Sequence, residues 1–299
     1  MKVVFLGTSS AVPTLKRGLS SVVIIRDEEI LLFDCGEGTQ LQLLKAKLKS
    51  SRIKKIFISH MHGDHVTGLM GLLMSFEMNN RNDPLNIFGP PGLLEYITTC
   101  TRLFCTHFSF NMNIKELNSG TCWEDEEYQI QCAPLLHRVF TLGYSLQEKD
   151  RTGKFLPEKA TKLGINPGPL FGQLQKGKSI TLPDGTVVSP EMVTGAKRKG
   201  QKIAYCLDTV PCTGARELGA KADLLIYDGT FDATRSEKAR TRGHSTALEA
   251  AVLAREGQVK RLALTHISPR YTSVKSYLAD VKKIFKNTIV ARDLMVLEV

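Results

Sequence analysis

The 299-residue sequence lacks the features that mark exported or membrane-spanning proteins, and it lacks the glycine-rich loop of dinucleotide-binding proteins. Its longest apolar stretches, such as residues 30–33, fall far short of the ~20 residues that a membrane-spanning helix requires. The apolar stretch near the N-terminus, residues 3–6, is too short for the core of a secretory signal peptide. GxGxxG does not occur, so the dinucleotide-binding glycine loop is missing. We therefore expect no export and no membrane contact.

A disulfide framework is also missing. The seven cysteines are odd in number and form no CxxC pair, so reduced thiols in a cytoplasmic protein are the simplest interpretation. Hydrophobic residues make up 42% of the chain, which is enough for a sizeable core. We expect one domain over residues 1–299, since the length is short for three domains.

Short apolar segments alternate with turn signals along much of the chain. The segments at 2–7, 20–26 and 30–34 predict antiparallel strands, because parallel strands need a longer crossover. Helical spacing of Leu41, Leu44 and Leu48 predicts a helix within residues 39–50. Further predicted strands and helices follow at 53–59, 66–78, 84–89, 91–105, 202–207, 223–227, 245–256, 261–265 and 273–286. This order predicts an α/β (α+β) fold in which packed sheets are covered by helices.

Residues 150–200 interrupt the alternation with five prolines and eight glycines. They also hold nine of the 40 lysines and arginines but only four of the 30 acidic residues, which is half of the excess positive charge of the chain. Two interpretations stand side by side, a flexible solvated insertion and a protruding basic arm that grips a polyanion. Apolar residues such as Phe155, Ile165 and Leu174 predict that the segment is partly folded.

The stretch HMHGDH concentrates four potential metal ligands in six residues, His60, His62, Asp64 and His65. It follows a predicted buried strand, and open α/β sheets place their sites at such strand ends. His60 and His62, two residues apart, can project to the same side of an extended segment. Asp64 and His65 face differently and could serve a second ion, since imidazole and carboxylate both suit zinc. The alternative is a polar surface turn without a ligand.

Further candidate ligands stand where other predicted strands end. His137 and His266 follow such strands, and Asp208 ends the strand KIAYCL, where its carboxylate could bridge two cations. His244 opens a predicted helix in GHST. Each of these histidines alone could instead be a core or capping residue. His107, in FCTHFSF, has no such context and is interpreted as structural.

HxHxDH followed by a distant His, Asp and His is similar to the metallo-β-lactamase superfamily of binuclear zinc hydrolases, which implies a four-layer αββα sandwich. Several stretches resemble one family of that superfamily, tRNase Z in its short form: FLGTSSAVP, LLFDCGEGTQLQL, FISHMHGDHVTGLMGLLMS, AYCLDT, GHST and LTHISPRY. NPGPLFGQLQKG resembles the protruding arm of that family. HxHxDH alone specifies only the superfamily. The arm and GHST are the features that narrow the resemblance to tRNase Z.

The resemblance implies a zinc-dependent endoribonuclease that removes the 3′ trailer from precursor tRNA and leaves a 3′-hydroxyl on the tRNA and a 5′-phosphate on the trailer. It implies one Zn²⁺ (or another divalent ion) at His60, His62 and His137, a second at Asp64, His65 and His266, and Asp208 as the bridge between them. Asp64 would also accept the proton of the attacking water, and His244 would protonate the leaving oxygen. Asp228 would orient His244, and Arg270 would contact a substrate phosphate. Two ions ~3.5–4 Å apart stabilise both the attacking and the leaving oxygen in such sites.

The resemblance also implies that the arm clamps the tRNA through phosphate contacts, and that the protein is a homodimer in which one subunit's arm serves the other's active site. The candidate tRNA-binding residues of the arm are Lys154, Lys159, Lys162, Lys176, Lys178, Lys197, Arg198 and Lys199.

One departure from the family pattern concerns the orienting acid. Tyr227-Asp228-Gly229-Thr230 stands where a His-Glu-Ala-Thr type of stretch is expected, and Asp is one methylene shorter than Glu. Three alternatives remain: a hydrolase of the same fold that acts on a small phosphodiester or a thioester, a different nuclease of the fold, and a metal-free RNA-binding scaffold. The first would not need the basic arm, and the last fits poorly with seven filled ligand positions.

Overall fold

Two seven-stranded mixed sheets form the larger part of the fold. The structure is a computed structural model that describes residues 1–151 and 153–299, except the side chains of residues 275–277. The predicted arm, residues 150–200, thus contains one residue outside the described part. The strands are β1 (Lys2–Gly7), β2 (Ser21–Arg26), β3 (Glu29–Phe33), β4 (Ile53–Phe57), β5 (Leu85–Gly89), β6 (Met112–Glu116), β7 (Gly120–Glu124), β8 (Tyr128–Leu135), β9 (Thr141–Glu148), β10 (Ile180–Thr181), β11 (Val187–Val188), β12 (Lys202–Cys206), β13 (Leu224–Asp228), β14 (Leu262–Thr265), β15 (Thr288–Val290) and β16 (Val296–Glu298). The α-helices are α1 (Thr39–Lys45), α2 (Gly63–Val66), α3 (Gly68–Met78), α4 (Leu93–Leu103), α5 (Pro157–Lys162), α6 (Pro169–Gln175), α7 (Thr213–Gly219), α8 (Ser236–Arg242), α9 (Ala247–Glu256) and α10 (Lys275–Ile284).

The strand order places a run of parallel strands in each sheet. The first sheet has the order β16-β1-β2-β3-β4-β5-β6, in which β1, β2 and β3 pair antiparallel as predicted and β3 to β6 pair parallel. The second has the order β15-β14-β13-β12-β9-β8-β7, with β12 to β15 parallel. Parallel strands end at the same edge of a sheet, which is where open α/β sheets place their sites.

The two sheets pack face to face through buried aromatic rings. Successive strand residues point to opposite faces, and Phe33 and Phe57 of the first sheet point toward the second. The ring centroid of Phe33 lies 5.5 Å from that of Tyr205, and the centroid of Phe57 lies 5.4 Å from that of Tyr144. The alternate strand residues pack under α3 and α4 in the first sheet and under α7 and α9 in the second. The predicted four-layer arrangement of helix, sheet, sheet and helix is confirmed.

The first predicted helix is shorter than expected. It ends at Lys45, because Lys47 adopts a left-handed conformation with φ 55° and turns the chain. Leu43 is buried, whereas Leu41 and Leu44 are 62% and 72% exposed. The leucine spacing therefore predicted the helix correctly, but the leucine that the core buries is Leu43.

The predicted helix 66–78 is confirmed as α3, which begins two residues later, and a separate short helix, α2, precedes it. Gly68 begins α3, and a Cβ atom there would lie 2.2 Å from the carbonyl oxygen of Gly36, so this close approach of two backbones requires glycine. The last residues of the polar motif, Asp64 and His65, lie within α2.

Residues 126–128 and 148–201 form a compact unit of their own. Its buried core contains Ala160 of α5, Leu174 of α6, and Ile180 and Val188 of the β10–β11 hairpin. At its base, the backbone groups of Arg151 and Arg198 exchange two hydrogen bonds of 2.9 Å. The prediction that this segment is partly folded is confirmed, whereas a single domain over residues 1–299 stays a prediction.

Candidate metal centre

The HMHGDH motif spans a change from extended to helical backbone. His62 is extended, with φ −67° and ψ 145°, and α2 begins at the next residue. His60 and His62 therefore project from the extended segment after β4, whereas Asp64 and His65 project from the first turn of a helix. This change gives the two pairs of side chains different directions. His60 and His65 are fully buried.

His60, His62, His137 and Asp208 form a first set of potential ligands, whose ligand atoms all lie within 4.8 Å of one another. The Nδ1 atom of His62 is 2.9 Å from Nε2 of His60 and 3.3 Å from Nε2 of His137. Oδ2 of Asp208 lies 3.4 Å from Nε2 of His60 and 3.7 Å from Nε2 of His137. These spacings leave room for one cation among the four side chains.

Asp64, His65 and His266 form a second set that meets the same 4.8 Å limit. Oδ2 of Asp64 lies 3.5 Å from Nε2 of His65 and 3.4 Å from Nε2 of His266. The other oxygen of Asp208, Oδ1, is 3.5 Å and 3.1 Å from the same two nitrogen atoms. Asp208 therefore presents one oxygen to each set, and the structure brings all seven predicted ligands together.

Three side chains of the centre and its surroundings leave their strands through a left-handed turn. Asp34, Asp208 and His266 follow β3, β12 and β14, and their φ angles are 56°, 48° and 58°. A residue other than glycine in this conformation costs about 1–3 kcal/mol unless its surroundings hold it there. At each of these positions the conformation turns a polar side chain from the strand end into the site.

The residues present fit divalent cations. Among the described residues, His65 Nε2 and Asp208 Oδ1 are two buried atoms without a hydrogen-bond partner. His65 belongs to the second set, and Asp208 Oδ1 faces that set at 3.5 Å from His65 Nε2. An unsatisfied buried polar atom costs about 1–3 kcal/mol, which a bound cation would offset. Burial and then the charge of His65 lower the pKa of His60 to about 4, and burial lowers the pKa values of His62 and His137 as well. Neutral imidazole is the form that binds a metal.

The Nδ1 atoms of several ligand histidines are held by groups outside the two sets. His65 Nδ1 lies 2.7 Å from Oδ2 of Asp34, His137 Nδ1 donates to the carbonyl oxygen of Gly243 at 2.7 Å, and His266 Nδ1 is 3.0 Å from Oγ1 of Thr230. Such contacts fix the ring orientation and leave Nε2 for the metal.

Asp34 is a residue that the sequence analysis did not single out. It is fully buried and accepts hydrogen bonds from the backbone N–H of Ser59 at 2.7 Å and from the hydroxyls of Ser59 at 2.9 Å and Tyr205 at 2.7 Å, besides its contact with His65. The signal that could have found it is an acid directly after a buried strand in LLFDCG, which is the pattern that identified Asp208.

His244 lies between the two sets. Its ring centroid is 5.1 Å from that of His137 and 5.3 Å from that of His266. Its Nδ1 atom is 2.8 Å from Oδ2 of Asp228, a fully buried carboxylate at the end of β13. Burial alone would lower the pKa of His244, but the charge and hydrogen bond of Asp228 outweigh burial and raise it. The shorter aspartate therefore does reach the histidine.

The remaining predicted residues lie on the surface. Arg270 is exposed, donates from Nε to Oγ of Ser268 at 2.8 Å, and holds its guanidinium 5.1 Å from the ring of Phe231. The Phe231 ring in turn lies 6.0 Å from the ring of His244. All eight candidate arm residues are exposed. His107 is exposed and belongs to none of the ligand clusters found among the described residues.

Comparison with known proteins gives three kinds of match. A family model described as Anti-Pycsar protein Apyc1 matches residues 1–140. A protein of Acaryochloris marina named Ribonuclease Z is 46% identical over 302 residues, which cover 99% of this chain and 96% of the relative. The crystal structure of the short form of human tRNase Z is 32% identical with a TM-score of 0.74, and the match covers 100% of this chain and 99% of that one.

A metallo-β-lactamase-fold protein of Bacillus subtilis is similar in fold alone, at 17% identity and a TM-score of 0.70 over 100% of this chain and 98% of that one. The predicted metallo-β-lactamase fold is confirmed by these structural matches.

Proposed function

The chain belongs to the ribonuclease Z family and is a tRNA 3′-processing endoribonuclease, and from that premise we propose which of its residues carry out the reaction. The substrate is precursor tRNA, and hydrolysis leaves a 3′-hydroxyl on the tRNA and a 5′-phosphate on the trailer. The position of Asp208, with one carboxylate oxygen toward each ligand set, is the observation that supports a centre for two cations.

We assign His60, His62 and His137 to one Zn²⁺ and Asp64, His65 and His266 to a second, with Asp208 shared between them. Two such cations lower the pKa of a bound water and stabilise the charge on the phosphate oxygens. The donor set of imidazoles and carboxylates supports zinc.

The proton transfers are assigned to Asp64 and His244. Asp64 takes the proton of the attacking water, and the Ala11 N–H holds its Oδ2 atom with a hydrogen bond of 2.8 Å. His244 donates a proton to the leaving 3′ oxygen of the tRNA body. Asp228 occupies Nδ1 of His244, so Nε2 is the atom that donates, and the raised pKa of His244 favours the protonated ring that a general acid requires. Arg270 contacts a phosphate of the RNA.

The basic arm supplies further affinity for the substrate. Its exposed lysines and arginines contact tRNA phosphates, which position the RNA without reading its sequence. Binding should therefore weaken steeply as the salt concentration rises. The compact fold of residues 148–201 supports this assignment, because it holds the basic side chains on a structured element.

The decisive experiment combines metal analysis with mapping of the cut. We expect about two equivalents of zinc per chain and a single cut at the 3′ end of the tRNA body in a precursor tRNA transcript. Precursors with and without an encoded CCA show whether mature ends are spared. His107→Ala serves as the control, since His107 lies outside the ligand sets. Hydrolysis of bis(p-nitrophenyl) phosphate without any cut in the transcript would overturn the assignment of the substrate.

We further propose that the protein is cytoplasmic and acts as a homodimer in which the arm of one subunit serves the active site of the other. Across the described residues, no helix has the length and apolar character needed to cross a bilayer. The dimer rests on the family resemblance and is tested by mixing subunits. At precursor tRNA concentrations well below the raised KM, an arm-deleted protein and a His244→Ala protein should each cleave poorly, and reassociated mixtures should recover activity. A monomer in sedimentation, or mixtures without recovery, would contradict the proposal.

A further inference from the structure

A second basic surface lies beside His244, on the same compact unit as the metal centre. It is formed by α8 and its neighbours, and we call it the α8 surface: Arg235, Lys238, Arg240, Arg242 and Arg270, all of them exposed. The charge of Arg270, followed by burial and the charges of Arg235 and Arg242, lowers the pKa of Lys238, which reflects how closely these cations lie. Glu237 is the acidic residue within the helix itself. Such a concentration of positive charge attracts a polyanion.

A pocket of about 490 Å³ opens at the C-terminal end of α8. Leu136 and Pro211 contribute apolar walls, and Arg138 and Arg240 contribute guanidinium groups. Leu136 is 58% exposed, so its side chain is available to pack against a ligand. Among the described residues, Arg138 has no carboxylate partner, and Arg240 lies 3.7 Å from Glu249. Both guanidinium groups can therefore turn toward a ligand.

The pocket is joined directly to the catalytic centre. Leu136 and Arg138 flank the ligand His137 in the chain, and Gly243 precedes His244. The carbonyl oxygen of Gly243 accepts the 2.7 Å hydrogen bond from His137 Nδ1. A Cβ atom at Gly243 would lie 2.6 Å from that same nitrogen, so glycine is required for the pocket wall to approach the ring. A group in the pocket therefore lies next to both a metal ligand and the proton donor.

The chemistry of this pocket fits a single unpaired nucleotide. An apolar wall and the flat face of a guanidinium group both accept the face of a base, and a guanidinium group also binds phosphate. The volume is within the range of small-molecule pockets, which is too small for a base-paired stem. Glu249 also lines the pocket, but the two guanidinium groups outweigh its charge and favour an anionic ligand over a further cation.

We propose that the pocket holds one unpaired nucleotide adjacent to the scissile phosphate, with its base against Leu136 and Pro211, and that the α8 surface binds the backbone of the same strand. This assignment rests on the proposed function. It gives the enzyme a second RNA-binding surface, formed by residues outside the arm and adjacent to the bond that is cut. The nucleotide is either the last one of the tRNA body or the first one of the trailer, and the experiment distinguishes these two sources.

The experiment is a double-mutant cycle between the protein and the RNA. Two precursor tRNAs carry one abasic nucleotide each, at the last position of the tRNA body or at the first position of the trailer. For the unaltered protein, we expect one of them to raise KM by about tenfold or more relative to the intact precursor, which is the scale of losing one stacked base. In Leu136→Ala, that same abasic substrate should cause no further rise, because the apolar wall that the base packs against is already removed.

The predicted contacts between guanidinium groups and RNA phosphates are tested with a variant that combines Arg138→Ala and Arg240→Ala. The slope of log KM against log salt concentration should become shallower by about 0.7 for each phosphate that the variant no longer neutralises. The combined variant Arg255→Ala and Lys286→Ala, which also removes two exposed charges, should leave the slope unchanged. Zinc content and the melting temperature show whether each variant is folded and loaded.

The outcomes separate this proposal from the proposed function. If the unaltered protein makes no mapped cut in the intact precursor, both fail. If it cuts correctly, but the effects of Leu136→Ala and of each abasic site multiply independently, the pocket holds no nucleotide and the proposal is overturned. An unchanged salt slope in the Arg138 and Arg240 variant would likewise rule out phosphate contacts by these two guanidinium groups. An unchanged slope in Arg235→Ala combined with Arg242→Ala would rule out the backbone interaction of the α8 surface.

Discussion

Nδ1 of His244 lies 2.8 Å from Oδ2 of Asp228, and this pair connects the end of β13 to the residue that faces both ligand sets. Asp228 is itself fixed, because its Oδ1 accepts a hydrogen bond of 2.9 Å from the backbone N–H of Thr230 and the residue is fully buried. The imidazole therefore has one orientation and one free nitrogen. His244 also meets the 4.8 Å limit with Asp208, Asp228 and His266, but Asp228 raises the pKa of His244, and a raised pKa suits a proton donor better than a metal ligand.

His244→Ala should abolish cleavage while leaving the metals in place. We expect the rate to fall by about 10²- to 10⁴-fold, the usual contribution of a general acid. Zinc analysis of the purified variant should still give the value of the unaltered protein. An empty site in His244→Ala would refute the role as an acid, since it would make His244 a ligand.

Asp228→Asn tests the orienting pair by itself. Asparagine keeps the size of the side chain and removes the charge that raises the pKa of His244. A general acid loses activity as the pH rises through its pKa, so the alkaline limb of the pH–rate profile should move to lower pH in this variant. The measurement is kcat against pH with both proteins saturated with zinc. A profile with a lower plateau and an unmoved limb would show that Asp228 acts in some other way.

Asp208 should be needed for both metals, whereas a ligand of one set should be needed mainly for one. Oδ2 of Asp208 faces His60 and His137, and Oδ1 faces His65 and His266, so Asp208→Ala removes a donor from both sets. His62→Ala removes a donor from the first set alone. We expect titration with zinc to show two weakened sites in the first variant and one in the second. Two tight equivalents in Asp208→Ala would exclude the bridge.

Asp34→Ala should weaken both the metal centre and the fold. The substitution leaves His65 without its Nδ1 partner, and loss of such a partner lowers metal affinity by about 10- to 100-fold. It also leaves the buried donors of Ser59 and Tyr205 unsatisfied, for which we expect a loss of about 3 kcal/mol in the free energy of unfolding. Urea unfolding of chelator-treated proteins separates the second effect from the first. Asp34→Asn, which keeps an acceptor oxygen, should lose less stability than Asp34→Ala.

The sequence predicted which histidines and aspartates lie together better than it predicted their surroundings, for a physical reason. Candidate ligands such as His60 and Asp208 stand within three residues of the end of a buried strand, and the hydrophobic pattern of the strands locates them. The partners of these ligands are harder to find, because Gly243 supplies only a carbonyl oxygen and Asp34 differs from other acids only in its position. Leucine spacing predicted α1 but not its buried face, since spacing shows that an apolar face exists but not what covers it.

The fold of residues 148–201 was the part least accessible to sequence patterns. Its core is small, and α5 and α6 each have fewer than eight residues, so neither offers a long period of apolar positions. Prolines at the first turns of α5 and α6 begin these helices, whereas in the sequence the prolines of this segment only interrupted the alternating pattern. Local structure in this segment therefore depends on its tertiary contacts more than on periodicity.

Removing the arm should separate binding of precursor tRNA from the chemistry of hydrolysis. The backbone pairing of Arg151 with Arg198 holds the two ends of the segment together, so residues 153–197 can be replaced by Gly-Ser-Gly without pulling the ends apart. We expect KM for precursor tRNA to rise by at least tenfold at moderate salt, and the dependence of KM on salt to flatten by about 0.9 for each duplex phosphate that the arm neutralised. Hydrolysis of bis(p-nitrophenyl) phosphate should stay close to that of the unaltered protein, because that substrate is too small to need the phosphate-binding residues of the arm. The matched control replaces Lys176 and Lys178 by alanine in the intact arm and should give a smaller loss of the same kind. If a folded, zinc-loaded deletion variant lost cleavage of precursor tRNA and hydrolysis of bis(p-nitrophenyl) phosphate to the same degree, the arm would support the catalytic centre itself rather than the binding of tRNA.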